Sequence, residues 1–217
     1  MARQTTIPPH RSKGTPRTFE RRAALARALD VFWRRGYEPA TIAELCAAMQ
    51  INPPSLYAAF GNKAQLFMEA VQHYQHVYWD AAWERMESTA SVHEAMAGFF
   101  DDAVQVLTSR AAPRGCLVIL AATNVSASAE AQQVNDALRA LRREGRARFF
   151  GRLKRGIENG QLPSGTDLEA LASSLNAMLA GMSLLARDGA SRAELDRIAT
   201  TAMALLPAKR RTRSRTE

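Results

Sequence analysis

The stretch from Thr41 to Phe60, TIAELCAAMQINPPSLYAAF, holds two helix starts and one tight connection. Thr41-x-x-Glu44 is a capping box: the hydroxyl accepts from the amide three residues on, and the carboxylate reaches back. Ile42, Leu45, Cys46 and Met49 then recur at three- and four-residue steps, the buried stripe of a short helix. Gln50 and Ile51 make the connection. Asn52 reads as the next N-cap, followed by Pro53 at the first helical position, where a missing amide hydrogen costs nothing. Leu56 and Phe60, four apart, anchor this second helix. Two short helices joined so tightly form the arrangement of a helix-turn-helix, whose second helix enters the DNA major groove. With Leu56 inward and about 100° per residue, Pro54 and Ala58 point outward, flanked by Ser55 and Tyr57. That ridge is small and smooth and lacks the Arg or Lys that reads guanine. Pro54 and Ala58 would meet thymine methyls, while Ser55, Tyr57 and Asn52 would donate to bases or phosphates.

The charge distribution supports a polyanionic partner. The chain of 217 residues carries a formal charge of +8, but unevenly. Residues 1 to 35 hold nine Lys/Arg against two acids, and the tail from Pro207 holds five against one, so the body between them is slightly acidic. Basic ends on an acidic body suggest nucleic acid rather than a uniformly cationic protein. An apolar share of 47% suffices for a real core. Two cysteines, Cys46 and Cys116, and no secretory leader point to a reducing, cytoplasmic location. The longest unbroken apolar run, Cys116 to Ala122, is too short for a bilayer, so no membrane partner is expected.

The rest of the chain reads as all-α. Nine helices are expected, near 17–35, 41–49, 53–59, 63–87, 92–110, 116–123, 129–159, 167–188 and 192–206. Boxes at Ser91, Thr166 and Ser191 mark starts, and Gly36, Gly115, Gly160 and Gly189 mark stops. Residues 1–16 read as a flexible basic arm, 17–62 as a DNA-binding domain, 63–206 as a ligand-binding and dimerisation domain, and 207–217 as a basic tail. Arg11, Lys13 and Arg17 of the arm would follow a phosphate track or enter the minor groove.

The run from Arg21 to Phe67 resembles the DNA-binding domain of TetR (tetracycline-repressor-like) transcriptional regulators. Ala24, Ala28, Phe32, Gly36, Tyr37, Thr41, Ile42, Leu56, Tyr57, Phe60, Lys63, Leu66 and Phe67 carry the match together. A weaker similarity, through GCLVILAATNVS and LAGMSLLARDG, extends to the C-terminal domain of one branch. The resemblance implies an all-helical homodimer that binds a palindromic double-stranded operator and holds a small-molecule inducer. It implies phosphate contacts at Thr41, Tyr57 and Lys63 and base contacts from Asn52, Pro53, Pro54 and Ser55. Gln50 stands where that family often has glycine, so a left-handed turn there would be strained.

In the body, an apolar ligand cavity would draw on Tyr74, Tyr78 and Trp79 of one helix, Met96 and Phe100 of the next, and Cys116, Leu120, Asn176 and Met182. The resemblance assigns dimerisation to the last two helices, through Leu171, Leu175 and Leu179 and through Leu195, Ile198, Ala202 and Leu205. The basic cluster from Arg139 to Arg155 reads as a solvated face. His73 and His76 lie three apart without an evident third ligand, and Cys116 reads as a buried small hydrophobe, so neither metal nor cofactor is expected. Catalytic motifs are missing too, which argues against an enzyme. The alternatives are a nonspecific architectural DNA-binding protein, or a thiol- or metal-responsive regulator using Cys116.

Overall fold

In a computed structural model, residues 16–121 and 128–207 are described, with side chains from Glu20 onward. The arm residues Arg11 and Lys13, the side chain of Arg17 and the tail from Ala208 lie outside them.

Every regular element among the described residues is a helix: α1 (Pro16–Arg35), α2 (Ile42–Met49), α3 (Pro53–Phe60), α4 (Lys63–Tyr78), α5 (Asp80–Ser88), α6 (Val92–Leu107), α7 (Leu117–Leu120), α8 (Ala129–Glu158), α9 (Leu168–Arg187) and α10 (Arg192–Met203). The sequence-predicted starts at Thr41, Asn52, Ser91 and Ser191 are all N-caps whose side chains accept from the amide three residues on. At α9 the cap is Asp167 instead of Thr166, whose hydroxyl donates to the Pro163 carbonyl. A carboxylate at the helix start also complements the positive end of the dipole, which a hydroxyl does not.

Ten helices replace the expected nine because the run 63–87 breaks at Trp79 (φ −124°). Ahead of the break Phe67, Ala70, Val71 and Tyr74 are buried; after it Trp79, Ala82 and Met86 are. These two stripes differ by about 100° on a straight helix, and the bend turns both toward the interior. Trp79 is held in place by its indole, which donates to the Tyr74 hydroxyl at 2.7 Å.

Helices α1 to α3 pack on α4 around Phe32, Phe67, Leu45 and Leu56, all fully buried. Each such side chain contributes about 1.5–3 kcal/mol. Behind them α5 and α10 pack on α6, and α8 lies along α9. Helix α9 is long and apolar enough to cross a membrane by length and composition, which the reading of unbroken runs did not anticipate. Its inward side is packed on α6, α8 and α10.

Three contacts tie the end of α1 to the body. The Trp33 indole donates to the Gly115 carbonyl at 3.0 Å, and Arg187 donates to the carbonyls of Trp33 and Arg34 at 3.2 and 2.8 Å. A guanidinium on the last carbonyls of α1 satisfies acceptors that have no partner within the helix.

Candidate functional site

The exposed surface of α3 is the ridge read from the sequence. Leu56 and Phe60 are buried, whereas Pro53, Pro54, Ser55 and Ala58 are exposed and Tyr57 is 50% exposed. Asn52 caps the helix by accepting from the Ser55 amide at 2.9 Å. Prolines occupy the first two helical positions, so α3 presents no free amide at its N-terminus for a phosphate. What α3 offers DNA is side chains: two apolar contacts, the Ser55 and Tyr57 hydroxyls and the Asn52 amide group.

The flanking anchors are more constrained. Thr41 stands at the start of α2, but Glu44 already fills that anion position, accepting from the Thr41 amide at 3.0 Å and its hydroxyl at 3.1 Å. The Thr41 amide, with help from Arg35 at 2.8 Å, holds the Glu44 carboxyl below its ordinary range. Lys63, at the first position of α4, donates to the Glu38 carbonyl at 3.0 Å and lies 4.6 Å from the Tyr37 ring centroid. Burial lowers its pKa. One Nζ hydrogen is thus committed inside the domain, and two remain for a phosphate. Several arginines of α1 are similarly engaged: Arg21 with Glu69, Arg34 with Asp30, and Arg27 with the Met49 carbonyl and Gln50.

A second site lies in the body. Tyr74, Trp79 and Trp83 from the bent α4–α5 pair, Cys116, Val118 and Ile119, then Leu141, Arg142, Glu144, Gly145 and Arg148 of α8, and Asn176 and Leu179 of α9 contribute to a cavity of about 80 Å³. The Gly115–Cys116 step is pinned against α9. The Cys116 amide donates to buried Ser183 Oγ at 2.8 Å, and Gly115 has φ +84° with the Ser183 carbonyl 2.8 Å from where a Cβ would stand. No side chain fits there. Burial pushes the Cys116 thiol upward, while the hydrogen-bonded Tyr74 hydroxyl and the backbone of Ile119 and Val118 pull the other way. Tyr74, wholly enclosed, is raised well above its ordinary range, again chiefly by burial.

Of the sequence-predicted cavity residues, Tyr74, Trp79, Cys116 and Asn176 line this cleft and five do not. Tyr78 packs on Trp33 and Tyr74. Met96, Phe100 and Met182 are filled core, with Phe100 stacked on Phe149. Leu120 faces a different crevice, of about 200 Å³, between the end of α1 and α9. The basic cluster also needs correction: Arg142 and Arg148 line the cleft, and Arg152 is 3% exposed. Leu141, Gly145 and Arg148 fall on one face of α8 by their spacing, a signal hidden because arginine was read as a solvent marker. Trp83 was missed for a different reason: its exposure is intermediate, between core and surface.

Of the expected dimer residues, five lie inside the subunit. Leu175, Leu195 and Ala202 have no exposed surface, and Leu171 and Leu179 are under a tenth exposed. They form the subunit's own core. Ile198 is half-buried and Leu205 is 44% exposed. The outward side of α9 carries Ala177, Gly181, Leu184 and Leu185, with Ser173 and Ser174 exposed ahead of them.

A capped helix pair with an outward ridge, joined by a bent helix to an all-helical body, is the architecture of a helix-turn-helix DNA-binding regulator. Residues 24–70 match the family model for bacterial regulatory proteins of the tetR family, and residues 93–202 match that for the tetracyclin repressor-like C-terminal domain. The chain is 33% identical to the HTH-type transcriptional repressor ComR of Escherichia coli K12 over 211 residues, covering 95% of this chain and 98% of that protein. It is similar to the TetR-family regulator CifR, solved as a cysteine-substituted variant with a 26-base-pair double-strand operator. That likeness has 42% identity and a TM-score of 0.83, and covers 89% of this chain and all of the other. A TetR regulator of Rhodococcus sp. RHA1 matches at 36% identity and a TM-score of 0.60, covering 85% and 98% of the two chains. This chain belongs to the TetR family of DNA-binding transcriptional regulators; its relatives are regulators, not enzymes.

Proposed function

We propose that the protein is a homodimeric repressor that holds a palindromic operator through two copies of the α3 ridge and lets go when a small effector occupies the Tyr74–Cys116 cleft. The observation that carries this reading is the link between the two sites. Trp33 of α1 donates to the carbonyl of Gly115, the residue before Cys116, and its ring lies edge-on to Tyr74 with centroids 4.6 Å apart. A molecule that displaces the Gly115–Cys116 step or Tyr74 therefore pulls on the end of α1, and with it on the angle at which α3 is presented. Half-sites recur about one helical turn of DNA apart or at multiples of it, so a change of angle in both subunits prevents simultaneous docking. The effector acts only through a difference in affinity for the two arrangements.

Pairing of subunits is supported by the outward stripe of α9, where small Ala177 and Gly181 permit close approach and Leu184, 53% exposed, and Leu185 supply apolar area. Repression and operator binding are carried over from ComR, named a repressor, and from CifR in its operator complexes.

The test begins with selection of bound genomic fragments, which supplies the operator. Ala58→Glu puts a carboxylate on the ridge in an exposed position and is expected to abolish binding to that operator while circular dichroism and melting stay unchanged. Undiminished binding would refute the role of the ridge. Specific binding is expected to exceed binding to bulk DNA by about 10³ or more; a much lower ratio would favour an architectural protein.

A second reading is favoured by the place of Cys116, which faces the cleft beside Tyr74. A thiol sensor would answer to electrophiles, but burial keeps this thiol protonated, and the thiolate is the nucleophile. Cys116→Ser separates the two: a reversible effector still releases operator from the variant, and an electrophile does not.

A further inference from the structure

Each carboxylate of the cleft wall has a nitrogen partner, and one guanidinium of the wall lacks a carboxylate. Asp80 accepts from His76 at 3.1 Å. Glu144 pairs with Arg148 at 3.1 Å, and Arg148 also reaches Glu87 at 3.7 Å and lies over the Trp83 ring. Arg142, on α8 ahead of Glu144 and Arg148, has no carboxylate partner among the described residues. Its Nη1 donates to the Val118 carbonyl at 2.9 Å, which fixes the guanidinium beside the Cys116 segment. Burial is the largest influence on Arg142, lowering its pKa, and the like charge of Arg139 lowers it further. A half-buried guanidinium has lost part of its hydration and gains nothing from a lone neutral carbonyl comparable to a bidentate anion. Trp83, Ile119, Leu141 and Leu179 supply the apolar part of the wall, Gln75 and Asn176 its neutral polar groups, and Asp80 and Glu144 its two carboxylates.

We infer that the effector is a small monocarboxylate, its anionic head on Arg142 and its apolar part against Trp83 and Leu141. This rests on the reading of the cleft as the effector site, and it names the chemistry that site selects. A neutral ligand of the same shape leaves the guanidinium unpaired, so the site discriminates by charge.

The experiment is calorimetric titration of the full-length protein with two isosteric pairs, benzoate against benzamide and butyrate against butyramide. Wild type is expected to bind each carboxylate at least about tenfold more tightly than its amide, the size of one charge-assisted contact. Arg142→Gln, which keeps a donor for the Val118 carbonyl, should erase that preference, and Arg142→Lys should restore part of it. Equal binding within a pair, tighter binding of the amides, no binding of either pair at millimolar concentration, or a preference that survives in a folded Arg142→Gln variant overturns the inference. The wild-type comparison stands even if the variants do not fold. Operator release is read separately. Arg142-dependent carboxylate binding that leaves the operator complex intact upholds the anion site and removes the effector role. Release by benzamide and not by benzoate keeps the effector role and overturns the anion site.

Discussion

Gln50 closes the turn of the helix pair at φ 59° and ψ 41°, in the left-handed region. For a residue with a Cβ that conformation costs about 1–2 kcal/mol, offset in part because glycine would loosen the unfolded chain by about 0.4–1 kcal/mol. Gln50→Gly is expected to stabilise the fold by about 0.5–1 kcal/mol, visible as a raised urea midpoint with an unchanged slope; a lowered midpoint would mean that the weak Arg27–Gln50 contact outweighs the strain. Glu44 gives a second expectation. Its folded pKa lies below 4.5, so its stabilisation is in place above that pH and is lost as the pH falls through the folded value. Glu44→Gln keeps the reach-back of the capping box but removes the titration. The acid limb of stability against pH should therefore be shallower in the variant, and superimposable limbs would contradict the assignment. Both residues were legible in the sequence, because cap and turn chemistry are local. Lys63 was not fully so: a lone symbol does not show that Tyr37 and the Glu38 carbonyl hold it.

At the scale of elements, helix starts were readable wherever a cap sits beside its own helix, and the bend at Trp79 was readable only in part. Two aromatic stripes out of phase were visible, yet no proline or glycine marks a break, and the backbone bonds Trp79 N to Gln75 O and Trp83 N to Trp79 O continue across it at 2.8 and 3.0 Å. Helix α8 was misread more seriously. Arg152 is buried, and its guanidinium donates to the Met86, Thr89 and Ala90 carbonyls at 3.1, 2.8 and 3.1 Å, closing the end of α5 and the turn after it. Sequence periodicity could not reveal this, since its partners are backbone atoms more than sixty residues away. Replacing Arg152 by Met strips these carbonyls and should cost about 2–4 kcal/mol in chemical denaturation. Arg152→Lys should recover only part of this, because an ammonium cannot fork across three acceptors. A near-neutral Arg152→Met would show that water replaces the guanidinium.

For the whole molecule, the inward leucines of α9 and α10 look no different in sequence from a dimer seam, because the apolar period is the same for both. Exposure separates them, and the proposed pairing surface is therefore the side of α9 bearing Gly181, where a Cβ would meet open space. Gly181→Arg is therefore expected to leave the subunit folded, with helix propensity gained by up to about 1 kcal/mol, while blocking close approach of a second copy. Sedimentation equilibrium should show the variant at monomer mass and a paired wild type; a variant that remains paired would place the seam elsewhere. The connection through Trp33 has a practical side as well. The chain has only three tryptophans: Trp33 clasps the Gly115 carbonyl, and Trp79 and Trp83 wall the cleft. Under the proposed function, every indole of the native chain sits at the effector cavity or at its mechanical output. Ultraviolet emission from the unlabelled protein would then report the proposed switch, with Trp33→Phe and Trp83→Phe available to silence the transmitting and receiving ends in turn.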